Sequence, residues 1–103
     1  MDTQAVRRVV AAYARLVTKE FPDSQIVLFG SYVRGEAHDD SDIDVAVIVP
    51  EIRGDYLTLA ARLCRLRDDL EPLIEPHLLS LENDDSGFVR EVLRTGEVVH
   101  QVA

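Results

Sequence analysis

Residues 29–49 read FGSYVRGEAHDDSDIDVAVIV, and the end of this stretch is the easiest part to place. Asp42–Val49 is rich in Val and Ile and is closed by Pro50, which describes a strand. Side chains on a strand alternate faces, so Asp42 and Asp44 point one way while Ile43, Val45, Val47 and Val49 share the other, buried face. The two carboxylates then lie roughly 6–7 Å apart at the backbone. At about 6 Å they repel by roughly 3 kcal/mol at an effective dielectric near 20. A divalent cation between the oxygens removes that cost. Mg2+ suits the position, because it prefers oxygen ligands and is usually held by one or two carboxylates plus substrate phosphates. The plainer alternative is a solvated turn, in which Asp39, Asp40, Ser41, Asp42 and Asp44 form a polar loop leading into an edge strand.

Gly30-Ser31 bears on that choice. It follows Gln25–Phe29, an apolar run that reads as a short buried strand, and precedes Tyr32–Glu36, which is too short to assign. Glycine lets backbone approach a ligand closely. Ser31 offers a hydroxyl, and the N–H groups behind it can bind an anion. An ordinary turn with Ser31 as helix N-cap is the alternative. Arg34 could reach a phosphate, or pair with a nearby Asp and hold the loop.

Outward from this stretch, a first helix is capped by Asp2 or Thr3 and carries Val6, Val9, Val10, Tyr13, Leu16 and Val17 at helical spacing. Phe21–Ser24 breaks it. Helical spacing returns over Asp55–Leu70. Its leucines exceed one core face, so a broad core stripe and a partner or dimer surface are both readings. Leu73–Leu81 reads as a third strand, with Pro76 marking an edge or a bulge. Ser86–Arg94 is a last helix, capped by Ser86 and closed by Gly96, and Val98-Val99 suggests a short terminal strand. The order, roughly α-β-α-β-α-β-α, predicts an α/β (α+β) fold: a short mixed sheet with flanking helices.

A length of 103 residues fits one domain over 1–103, with an expected radius of gyration of about 13 Å. Eleven basic residues against nineteen acidic ones give −8, which argues against direct nucleic-acid binding but leaves a metal-held nucleotide possible. One cysteine, Cys64, excludes an intramolecular disulfide and a Cys-only zinc site. The apolar runs are too short to span a bilayer, and Met1–Gln4 does not begin a signal peptide, so the expected compartment is the cytoplasm.

Gly-Ser-x-x-Arg-Gly, five residues, then Ser-Asp-Ile-Asp and an apolar run resembles the signature of the DNA polymerase β-like nucleotidyltransferase superfamily. At this length the chain is similar to a minimal nucleotidyltransferase (MNT) domain. The resemblance is sharpest over Phe29–Val49 and extends to about Val99 through Phe88–Leu93 and Gly96. It implies that fold, and transfer of a nucleoside monophosphate, AMP from ATP, to a hydroxyl acceptor with release of pyrophosphate. By this resemblance Gly30, Ser31 and Arg34 bind the nucleotide, and Asp42 and Asp44 hold two Mg2+ ions, with Mn2+ as a substitute. The third catalytic carboxylate has its best match in Glu75, within Leu73-Ile74-Glu75-Pro76-His77, where many members have Asp. His77 shares a strand face with Glu75, as a supporting partner or as a lone surface His. So small a chain leaves the acceptor to another molecule; the family precedent is a HEPN-type protein, in a pair resembling a toxin–antitoxin module. A non-catalytic antitoxin-like subunit and a Mg-NTP sensor are the alternatives, and self-association stays open.

Overall fold

The computed structural model describes residues 1–102. Helix α1 (Thr3–Glu20) is followed by strand β1 (Gln25–Phe29), short helix α2 (Ser31–Arg34) and strand β2 (Ile43–Val49). Helix α3 (Tyr56–Asp68), strand β3 (Ile74–Ser80), helix α4 (Phe88–Thr95) and strand β4 (Glu97–His100) complete the order. The four strands form one mixed sheet in the order β3-β2-β1-β4. β1 runs antiparallel to both β2 and β4. β2 and β3 are parallel, as strands joined through a crossover helix can be. The expected short mixed sheet with flanking helices is what forms.

β2 lies inside the sheet and is buried from Val45 to Val49, which explains its unbroken Val/Ile run. On one face Ile26, Leu28, Val45, Val47 and Leu78 pack against Val6, Val10, Tyr13 and Val17 of α1 and Leu63 of α3. The Tyr13 hydroxyl donates to the Leu63 carbonyl at 2.7 Å and joins the two helices. Burial pushes that phenol well above its ordinary pKa. On the other face Val27, Ala46 and Ile48 pack with Val89 and Val92 of α4, and Phe29, Leu79 and Leu93 close the smaller cluster at its margin. The radius of gyration is 12.8 Å.

Several local readings change. α1 is capped by Asp2, whose carboxylate accepts from the Ala5 N–H at 2.8 Å, rather than by Thr3. The unassigned Tyr32–Glu36 contributes most of α2, whose N-cap is Gly30; Ser31 is its first helical residue, not its cap. β2 begins at Ile43, so Asp42 precedes the strand. α4 has Gly87 at its N-cap; the Phe88 N–H donates to the Ser86 hydroxyl at 3.3 Å, and the next two N–H groups reach back to Asp84. Only Leu63 of α3 is fully buried and Leu57 is 75% exposed, so the leucine-rich helix is core along one line only. Pro76 lies on an edge strand, as one of its two readings required.

Candidate functional site

Register assembles the site. In the parallel ladder Asp44 is opposite Glu75 and Ala46 is opposite His77; in the antiparallel ladder Phe29 is opposite Asp44. These side chains share the face that carries α4, at the end of the sheet where β1 leaves and β2 and β3 enter. His77 Nε2 is 3.2 Å from Asp44 Oδ1 and 4.0 Å from Glu75 Oε1. The Asp44 and His77 side chains are partly buried, and Glu75 is half exposed at the rim.

Two aromatic contacts fix the imidazole from behind. The Phe29 ring meets it edge to face at a centroid distance of 5.1 Å, and Phe88 meets Phe29 in the same way at 5.8 Å. Phe88 is the first residue of α4, whose start is set by Asp84: its carboxylate accepts from the N–H groups of Val89 (2.9 Å) and Arg90 (3.0 Å). Those bonds, the Val89 one foremost, hold the Asp84 carboxyl below its usual pKa.

Gly30 fits against the Asp44 carboxylate. Its φ is +83° and ψ −149°, a conformation left almost entirely to glycine, and a Cβ there would land on Asp44 Oδ2. A groove of about 400 Å³ opens beside it, with Gly30, Arg34 and Asp44 on one side and Phe88, Glu91 and Thr95 of α4 on the other. Ser31, half-buried, starts α2 directly after Gly30. The Arg34 guanidinium pairs with Glu36 at 3.1 Å rather than with an aspartate.

The structure thus brings Asp44 and Glu75 together, with Gly30 and Arg34 around one groove, and adds His77 to the pair. Asp42 stands apart: it is exposed, one residue ahead of β2, and outside the group of Asp44, Glu75 and His77 donor atoms that lie within 4.8 Å of one another. Sequence reasoning did not find the Phe29–Phe88 contact or the part α4 plays in the groove. An aromatic at the start of a helix that should be capped was the available signal for Phe88, which is 42% exposed. Two carboxylate donors and an imidazole nitrogen form a donor set that suits a divalent cation.

The sequence pattern of the family described as polymerase β nucleotidyltransferase matches residues 16–102. The chain belongs to that family. Protein adenylyltransferase MntA of Thermococcus cleftensis is 32% identical over 102 residues, spanning 97% of this chain and 96% of that one. Among solved structures, a Sulfolobus solfataricus protein described as a nucleotidyltransferase is similar at a TM-score of 0.67 and 18% identity, over 93% of this chain and 80% of that one. The complex of tri-AMPylated Shewanella oneidensis HEPN toxin with MNT antitoxin is similar at 0.58 and 22%, over 96% and 72%. At those identities the likeness is one of fold, and it matches this nucleotidyltransferase's mixed sheet and flanking helices. No helix among its described residues is long and apolar enough to cross a membrane.

Proposed function

We propose that this nucleotidyltransferase moves AMP from ATP to a hydroxyl on a partner protein, with a divalent cation, Mg2+ or Mn2+, at Asp44. The observation that carries the reading is the register pairing of Asp44 with Glu75 beside a groove whose other wall begins at Phe88. The relative named protein adenylyltransferase supports the choice of AMP and of a protein acceptor. The acceptor oxygen attacks the α-phosphorus, the bond to the bridging oxygen breaks, and pyrophosphate leaves with that electron pair. Bound cations neutralise charge on the phosphoryl oxygens and favour the ionised acceptor. Asp44 and Glu75 hold that charge in place, with Asp42 as a further ligand from the strand's entrance. Glu75 has two oxygens, one for the cation and one to take the acceptor's proton. Ser31 and Arg34 meet the triphosphate, for which Arg34 exchanges its partner Glu36.

A domain with a radius of gyration of 12.8 Å leaves little chain to build an acceptor pocket, so the acceptor comes from a second chain. A HEPN-type protein is the proposed partner, on the strength of the structurally similar complex. The test is label transfer in native host lysate with ATP labelled at the α- or the γ-phosphate, beside an Asp42→Asn/Asp44→Asn control. A protein band labelled only from the α-position and lost in the control is the expected result. Label from the γ-position would make the reaction phosphoryl transfer, and no label from either would leave a subunit that acts on its partner by contact alone.

A further inference from the structure

An imidazole nitrogen stands beside the two carboxylates that the sheet register brings together. We propose that His77 is itself a metal ligand through Nε2, and that this makes the site prefer a first-row transition ion, Mn2+, over Mg2+. The inference rests on the reading of Asp44 and Glu75 as the cation site and narrows which cation they serve.

Three observations carry it. The donor atoms of Asp44, Glu75 and His77 lie within 4.8 Å of one another, while the expected aspartate, Asp42, is not among them. Two donors of one ion at about 2.1 Å sit roughly 3.0 Å apart when adjacent and roughly 4.2 Å apart when opposite. The Nε2 distances of 3.2 Å to Asp44 and 4.0 Å to Glu75 fall within that span, and the second is too long for a hydrogen bond. Finally, the ring does not depend on Asp44 alone for its orientation, because Phe29 packs against it at 5.1 Å and Phe88 backs Phe29. The side chain is 30% exposed, so it is held in place yet open to an incoming ion. Imidazole is a poor partner for Mg2+ and a better one for first-row transition ions, and among those Mn2+ is the one that carboxylates also suit. Two carboxylates with one imidazole therefore shift selectivity in one direction.

The test is Mn2+ binding to the full chain, followed by electron paramagnetic resonance, with Mg2+ as competitor. Pulsed spectra of bound Mn2+ should show coupling to a nitrogen nucleus in the unmodified protein. His77→Ala and His77→Gln should lose that coupling and lower the Mn2+/Mg2+ affinity ratio at least about tenfold. The nitrogen signal is read on the unaltered chain, so it does not depend on either variant folding. Circular dichroism shows whether the variants are folded for the ratio measurement. Saturable Mn2+ binding without nitrogen coupling, or coupling that survives both folded variants, would overturn the proposal and leave His77 as a hydrogen-bond partner of Asp44. Absence of saturable Mn2+ binding would overturn the cation reading of Asp44 and Glu75 as well.

Discussion

Gly30 is the residue on which the site's geometry turns. It has two independent reasons to be glycine: a backbone conformation that a Cβ penalises, and an Asp44 oxygen where that Cβ would sit. Gly35, five residues on, has only one, since its φ of +75° and ψ of 21° are left-handed but nothing lies within 4 Å. The two alanine variants should therefore differ. Gly35→Ala should cost about 1–2 kcal/mol, the usual penalty of a left-handed non-glycine residue. Gly30→Ala should cost roughly 1–3 kcal/mol from strain, and in addition displace the Asp44 carboxylate. Urea titration measures the stabilities and divalent-cation titration measures the displacement. If Gly30→Ala retains cation affinity equal to that of Gly35→Ala, the close approach to Asp44 does not shape the site.

At the scale of elements, α4 is a helix of 8 residues that a carboxylate outside it begins. Asp84 accepts the N–H groups that Val89 and Arg90 leave open, and this keeps its carboxyl below the ordinary value near 3.9. A carboxyl with a depressed folded pKa stabilises the protein above its unfolded pKa, and that contribution is lost as pH falls through the folded value. Asp84→Ala should thus lower the melting temperature at neutral pH, with a gap to the parent protein that closes as the solution is acidified below about pH 4. A gap of equal size at pH 6 and pH 3 would show that charge on Asp84 does not hold the helix. This cap also marks where the sequence stops being readable. The bounds of β1 were legible because a proline turn and Gly30 enclose five residues, and α1 was legible from its period. Ser86 was read as the α4 cap and does accept the Phe88 N–H, but the shorter bond comes from an acceptor five residues before its donor at Val89. The pairing of Asp44 with Glu75 spans a whole helix, and spacing alone gives no register for strands so joined. Asp42 and Asp44 were legible as a pair by alternation. β2 begins at Ile43, so the strand holds Asp44 while Asp42 stands at its entrance.

For the molecule as a whole, the sheet is covered unevenly, by α1 and α3 on one face and by α4 on the other, and the site occupies the end that α4 leaves open. The sheet also has two free edges, and a bare edge invites another chain to add a strand and start aggregation. β4 is four residues long and offers little to copy. β3 is seven residues long and carries Glu75 and His77, so it is the exposed liability. Its ladder bonds to the Ile43 N–H and the Val49 carbonyl come from Leu73 and Leu81, the odd-numbered residues, which turns the even-numbered backbone groups outward. Pro76 is one of these and has no N–H to offer. The outward carbonyls of Pro72 and Ile74 are both occupied by Arg67 Nη1, at 2.6 and 2.8 Å. Donor and acceptors are thus withdrawn from the same edge by one proline and one guanidinium. Pro76→Thr combined with Arg67→Ala should leave the monomer folded by circular dichroism but raise light scattering of concentrated solutions over hours; unchanged scattering would show the edge to be inert without them. The proline between two site residues gives the strand that carries the chemistry a second duty, in denying a neighbouring chain a backbone donor.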